Sequence, residues 1–271
     1  MTVQPTIFIA AIASDIGREL ALLYRERGCT VIGTYRSEAN LGVLRDDKEI
    51  VLLECDVADN RSVQKVAEAL RGLHKPWNLF VGAIGQLDPI GSFFDCDNTF
   101  WTESVFANSL GQLSLLHAIH SFRSRDLSPT KIAFLVGGGI NGPFRNYSAY
   151  CLGKVMLVKF CELLDDEYPH IHAIAVGTGW VNTKIHQQTL NAGQNSGENY
   201  RRTYEFVTSG RPGTTISDIL ACMDWCFDAG KAATSGRNFS VVHDGWRADA
   251  DKLASTLASD PDMFKLRRKG A

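Results

Sequence analysis

TIFIAAIASDIGRELALLYRERG, residues 6–28, changes its hydrophobic period halfway along. Thr6 to Ile12 is a short continuous apolar run, which reads as a strand buried on both sides. From Ile16 the apolar residues recur three and four apart, at Ile16, Leu20, Leu23 and Tyr24, and the pattern stops at Gly28. That is an amphipathic helix with a glycine terminator. A buried strand running straight into such a helix is half of a strand–helix–strand unit, and the rest of the chain repeats the alternation. Strands are expected at CTVIGTY (29–35), EIVLLECDV (49–57), WNLFVGAIG (77–85), KIAFLVGG (131–138), HIHAIAVG (170–177) and RNFSVVHDG (237–245). Helices are expected at RSVQKVAEALRGL (61–73), in one long piece from Phe100 to Ser124, at 147–168 and at 214–229. The pattern predicts an α/β fold: one doubly wound parallel sheet with helices on both faces, as a single domain over 1–271.

Composition excludes several classes. The 271 residues are 45% hydrophobic and 21% charged with a net charge of −2, and their cations are scattered, so neither a nucleic-acid surface nor an anionic membrane is the expected partner. The terminal run KLRRKG is expected to be a solvated end. Seven cysteines with no CxxC and no metal-type spacing predict free thiols, a cytoplasmic location and no metal site; Cys222 and Cys226 fall on one helix face. No basic region precedes the apolar run at 6–13, which is too short to span a bilayer. The stretch 183–213 is polar, rich in Gly and Asn, and long for an α/β connection, as substrate lids are. A C-terminal extension, 247–271, is expected to carry one helical stretch and to cover the substrate cleft or a neighbouring subunit.

Ligands of open parallel sheets bind outside the carboxyl ends of the strands. After the first strand, AAIASDIG holds a single glycine, Gly17, for close approach to a phosphate at a helix N-terminus. After the second, Arg36 is placed to pair with a 2′-phosphate, which favours NADP(H) over NAD(H). Asp56 after the third strand either meets an adenine edge or caps the next helix. Tyr150 and Lys154 lie one helical turn apart, so both side chains face the same way. An ammonium beside a phenol favours the phenolate, and such a pair suits proton exchange with a carbonyl or alcohol oxygen.

Together these features resemble the short-chain dehydrogenase/reductase family over nearly the whole chain. Tyr150 and Lys154 match its Tyr-x-x-x-Lys signature. FANSLGQL resembles its Asn-x-x-Gly segment, with Asn108 as the asparagine that holds a water beside the lysine. Asp56 matches its adenine-contacting aspartate. VGTGWVNT resembles its Pro-Gly-x-x-x-Thr loop, with Thr178 in place of the proline and Thr183 at the nicotinamide carboxamide. The resemblance implies a Rossmann-like fold binding NAD(P)(H) through Ala11, Ser14, Ile16, Gly17, Arg36, Asp56, Val57, Gly85, Lys154, Gly179, Val181 and Thr183. It implies an interconversion of a carbonyl and an alcohol, and the Gln, Asn, Arg and Tyr residues of 183–213 point to a small, polar substrate. It also implies a homodimer or homotetramer, for which Leu157, Phe160 and Leu164 are either interface or monomer core.

The departures are specific. The family's Thr-Gly-x-x-x-Gly-x-Gly turn is Ala10-Ala11-Ile12-Ala13-Ser14-Asp15-Ile16-Gly17, so two glycines are gone and a carboxylate is added. Asp15 either repels a pyrophosphate or caps the helix and points away. The loop after the fourth strand keeps only Gly85 of the family's Asn-Asn-Ala-Gly. The position of the catalytic serine, thirteen residues before the tyrosine, is Gly137. Substitutes for its hydroxyl are backbone N–H groups of Gly137 and Gly138, the amide of Asn141, or Tyr147, whose spacing from Lys154 resembles the enoyl-thioester reductase branch. Two alternatives stand beside the active carbonyl/alcohol enzyme: a catalytically impaired cofactor-binding or scaffold relative, and an enoyl reductase that uses Tyr147.

Overall fold

A computed structural model describes residues 4–126 and 129–268. Seven strands form one sheet: β1 (Thr6–Ala10), β2 (Thr30–Tyr35), β3 (Ile50–Glu54), β4 (Leu79–Gly82), β5 (Thr130–Val136), β6 (Ile171–Gly177) and β7 (Arg237–Ser240). Every pairing is parallel and the order is β3-β2-β1-β4-β5-β6-β7. The order reverses direction between β1 and β4, so the crevice for a ligand opens at their carboxyl ends.

Period-2 geometry explains why the strands are apolar throughout. Along β1, Ile7 and Ile9 pack with Leu20, Ile219 and Met223 on one side, while Phe8 and Ala10 pack with Val63, Leu115 and Leu157 on the other. The first side is covered by α1 (Asp15–Glu26) and α8 (Ile216–Asp228); the second by α2 (Asn60–Leu73), α4 (Leu110–Ile119) and α5 (Ser148–Glu167). Cys222 and Cys226 are both buried on the inner face of α8, and all seven cysteines are free thiols.

One expected helix is divided. The helix expected from Phe100 to Ser124 is two helices, α3 (Asn98–Asn108) and α4, separated at Ser109, whose φ of −135° and ψ of −85° are not helical. The segment 183–213 is mostly helical, with α6 (Ile185–Asn191) and α7 (Glu198–Thr208) joined by a short 3₁₀ turn. Its polar composition reflects one-sided exposure, not lack of structure.

The C-terminal extension covers the chain's own last strand. Its helix α10 (Ala250–Ser259) packs on the short α9 (Lys231–Thr234), and the Phe264 carbonyl accepts from the Asn238 N–H of β7 at 2.9 Å. Buried Arg237 donates to the carbonyls of Leu257 (2.6 Å), Asp260 (2.9 Å) and Met263. The basic run is anchored too: Arg267 pairs with Glu162 on α5 and with Asp262, and this holds the Glu162 carboxyl at about 2, well below its usual range. Lys269 to Ala271 lie outside the described residues. Leu157 and Leu164 are buried within this one chain, so they are monomer core; the apolar residues that α5 exposes are Leu152, Met156 and Leu163.

Among the described residues, no helix is long and apolar enough to cross a membrane, and no cluster of His, Cys, Asp or Glu is placed to hold a metal.

Candidate active site

The site grows from the loops at the carboxyl ends of β1, β4, β5 and β6. In the first loop Ala11 has φ +64°, the left-handed region that glycine adopts freely. The backbone bonds around it fix that conformation. Its N–H donates to the Thr34 hydroxyl (3.2 Å), the Ile12 N–H to the Thr34 carbonyl (2.8 Å), and the Ser14 N–H to the Ala11 carbonyl (3.0 Å). The methyl group is therefore held at a cost of about 1–2 kcal/mol. Ser14 caps α1, accepting from the Gly17 N–H at 3.0 Å. Gly17 is required by packing: a Cβ there would lie 2.3 Å from the Ala11 carbonyl oxygen. Ile16 belongs to the first turn of α1 and packs at the edge of the core.

Asp15 neither caps the helix nor points into solvent. Its carboxylate accepts from the backbone N–H of Lys184 at 2.7 Å, across the crevice from the loop after β6. The Lys184 amine continues to the Asn40 side-chain carbonyl, at 2.9 Å, in the segment after β2. Arg36 is exposed at the end of β2. Asp56 forms a turn, its carboxylate accepting from the Ala58 N–H at 2.9 Å, while α2 is capped by Asp59 instead; Val57 beside it is buried against Gly111 of α4.

The loop after β4 is pinned from below by two site residues. Buried Lys154 donates to the carbonyls of Ile84 (2.6 Å) and Leu135 (2.9 Å). Asn108, at the end of α3, accepts from the Gln86 N–H (3.0 Å) and donates to the Gln86 carbonyl (2.8 Å). The break after Asn108 and the close approach of α5 go together, because a Cβ at Gly153 would sit 2.6 Å from Asn108 Cβ. Gly85 lies beside Ile185 of α6.

Tyr150 and Lys154 come together as their spacing predicts, with the amine 5.8 Å from the centre of the phenol ring. Their electrostatics differ from the expectation. Burial among Leu87, Ile90, Tyr147, Phe144 and Ile185 raises the Tyr150 pKa well above that of a free phenol, and burial lowers Lys154 to about 7. Desolvation disfavours both charged forms and outweighs the attraction between them. The phenol is thus neutral and the lysine half-charged near pH 7.

The glycine run explains itself sterically. A Cβ on Gly137 would lie 2.2 Å from the Tyr150 hydroxyl, and one on Gly139 would lie 2.2 Å from Cys151 Sγ. The tyrosine hydroxyl thus fills the space that a side chain on Gly137 would need. Gly138 offers its carbonyl to the Cys151 thiol at a long 3.9 Å. Tyr147 is drawn away: it is fully buried, stacks on Phe144, and donates to the Thr189 hydroxyl of α6 at 2.9 Å. Asn141 lies elsewhere, lining a cavity of about 260 Å³ with Asn238, Ser240, Asp244 and Phe264 beside β7. Gly179 has φ +71° and packs on Thr214 and Val242; Val181 is buried, and its carbonyl accepts from Thr183 (3.4 Å) and bonds the His186 ring at 2.7 Å.

Sequence reasoning missed Lys184 and Asn40. The signal available was that Lys184 directly follows Thr183 in the loop after β6.

Comparison with known proteins agrees with this layout. The family model described as enoyl-(acyl carrier protein) reductase matches residues 10–241. An uncharacterised oxidoreductase of Saccharomyces cerevisiae is 25% identical over 186 residues, 66% of this chain and 71% of its own. Among solved structures, a short-chain dehydrogenase/reductase from Saccharomyces cerevisiae superposes with a TM-score of 0.77 at 20% identity, over 90% of this chain and 98% of its own. A short-chain dehydrogenase from Shigella flexneri, complexed with NADP, superposes with a TM-score of 0.70 at 17% identity, over 88% and 96%. Strand order, crevice and matched length agree: the chain belongs to the short-chain dehydrogenase/reductase family of oxidoreductases.

Proposed function

We propose that the chain is an NAD(P)(H)-dependent oxidoreductase that interconverts a carbonyl and an alcohol on a small polar substrate, with NADP(H) preferred to NAD(H). The observation that carries this reading is the buried Tyr150–Lys154 pair at the carboxyl edge, beside a loop held by Asn108. The donor set suits a dinucleotide phosphate: an exposed guanidinium at Arg36, an N–H and an amine at Lys184, and a lysine and a phenol at the far end. When bound, the nicotinamide supplies or accepts the hydride. Tyr150, kept neutral by burial, holds a proton at its hydroxyl that carbonyl reduction would pass to the substrate oxygen, while the raised pKa works against that transfer. Lys154, protonated, lies against the face of the phenol ring and stabilises the phenolate left after donation. Asn108 and Lys154 jointly fix the backbone at 84–86 beneath the site.

The enoyl-reductase reading through Tyr147 loses support because that hydroxyl is committed to Thr189. A second reading, a relative that keeps the fold without turnover, is favoured by two observations: a glycine stands in the serine position, and Asp15–Lys184–Asn40 crosses the crevice.

Titration of NADPH and NADH, followed by nicotinamide fluorescence, separates the readings; no binding of either at millimolar concentration rejects the enzyme. With binding established, carbonyl, polyol and enoyl-thioester substrates are assayed with Tyr150→Phe, Lys154→Ala and Tyr147→Phe. The first two are expected to lose about 100-fold or more, the usual scale of a general acid, and the third little. Equal rates in all three remove the tyrosine mechanism. Arg36→Ala is expected to weaken NADPH more than NADH, and equal weakening overturns the cofactor preference.

A further inference from the structure

Two consecutive residues, Lys184 and Ile185, touch the loops of three different strands. The Lys184 N–H bonds the Asp15 carboxylate after β1, the Lys184 amine bonds Asn40 after β2, and the Ile185 side chain packs beside Gly85 after β4. Those are the three loops over which an extended dinucleotide would have to lie in this strand order. The chemistry at the centre is that of an anion site. The Lys184 backbone N–H faces the start of α1, where the Asp15 carboxylate accepts from it, while the ammonium of the same residue reaches Asn40 after β2. In the first turn the Gly17 N–H is committed to Ser14.

Resting on the reading that this crevice takes a dinucleotide, we propose that Lys184 is a phosphate-binding residue and that Asp15 is a built-in competitor for it. The Asp15 carboxylate holds the place of a phosphate oxygen on the Lys184 N–H. A dinucleotide binds by displacing that carboxylate, after which the N–H and the amine of Lys184 both serve the phosphate. Until then, the same contacts strap the lid segment α6 across the crevice.

Asp15→Ser and Lys184→Met test this with NADPH fluorescence titrations of the full chain at low and at 0.3 M salt. The competitor model expects Asp15→Ser to tighten NADPH about tenfold, because removing one carboxylate near a phosphate relieves roughly that much repulsion in a partly solvated site. It expects Lys184→Met to weaken NADPH about tenfold, with both differences shrinking in salt. Hydrogen exchange without nucleotide gives a readout independent of binding: the Lys184 amide exchanges faster in Asp15→Ser than in wild type. Tighter binding by Lys184→Met would make Lys184 a strap only and overturn its phosphate role. Unchanged NADPH affinity in Asp15→Ser, with wild type binding normally, overturns the competitor and leaves the proposed function standing. If neither wild type nor Asp15→Ser binds NADPH, both fail together; if only Asp15→Ser binds, the competitor is demonstrated directly.

Discussion

Replacing Lys154 with methionine asks what the buried amine does to the pH dependence of stability. The side chain is almost completely buried and hydrogen-bonded to two carbonyls, and burial lowers its pKa from 10.5 to about 7. A base whose folded pKa is depressed binds fewer protons in the folded state than in the unfolded one between those two values. Wild-type stability therefore rises with pH over that window, with a limiting slope of about 1.4 kcal/mol per pH unit. Integrating from pH 7 to pH 9 gives about 2 kcal/mol, because folded Lys154 is still half-protonated at the lower end. Methionine fills similar volume and does not titrate, so the variant lacks this component. The loss of donors to Ile84 and Leu135 lowers its stability by an amount that does not vary with pH, and so cancels from the comparison. Urea unfolding of both proteins at pH 7, 8 and 9 measures it. The wild type should gain about 2 kcal/mol on the variant across the range. A constant difference would mean that Lys154 carries its full charge in the folded state, and the half-charged lysine invoked for the site would be wrong.

Further outcomes follow from other contacts. Gly137→Ala should destabilise by about 1–3 kcal/mol, as overpacking does, since its Cβ meets the Tyr150 hydroxyl; a neutral effect in thermal melts would show that the phenol moves freely. The same clash means that Gly137→Ser should not simply restore a missing donor, and a large gain in turnover would contradict the packing. Tyr147→Phe should cost about 1 kcal/mol through the lost bond to Thr189, seen as faster proteolysis within 185–208. Arg267→Ala should cost about 1 kcal/mol at neutral pH, a value reduced for the exposure of its side chain. Glu162 has a depressed folded pKa, so that stabilisation is present above about 4.5 and lost as pH falls through about 2. An undiminished difference between wild type and Arg267→Ala at pH 2 would refute the pairing.

The sheet was legible because each strand is buried on both faces and each helix on one, so burial itself writes the period into the residues. Errors arose where period carries no information about a local break. Phe100 to Ser124 carries no proline to mark a break, yet the backbone leaves the helical region at Ser109, next to the close approach of Asn108 to Gly153. The segment 183–213 shows the opposite case. Its helices bury little, so polar residues and glycines dominate even though α6 and α7 form.

The proximity of Tyr150 and Lys154 was legible in the sequence, and their desolvation was not. A spacing of four residues is enough to bring Tyr150 and Lys154 to one place, because helix geometry is local. Whether the pair depresses or raises the phenol pKa depends on how much water remains, and that is decided by Leu87, Ile90, Phe144 and Ile185, which come from loops and from the lid. The missing serine has the same character. Read along the chain, Gly137 is a lost donor; in space, it is what lets the Tyr150 hydroxyl sit where it does. A glycine there and the packing around it are mutually consistent: the Tyr150 hydroxyl occupies the volume that a side chain on Gly137 would need, and Ile185 of α6 packs against the same cluster.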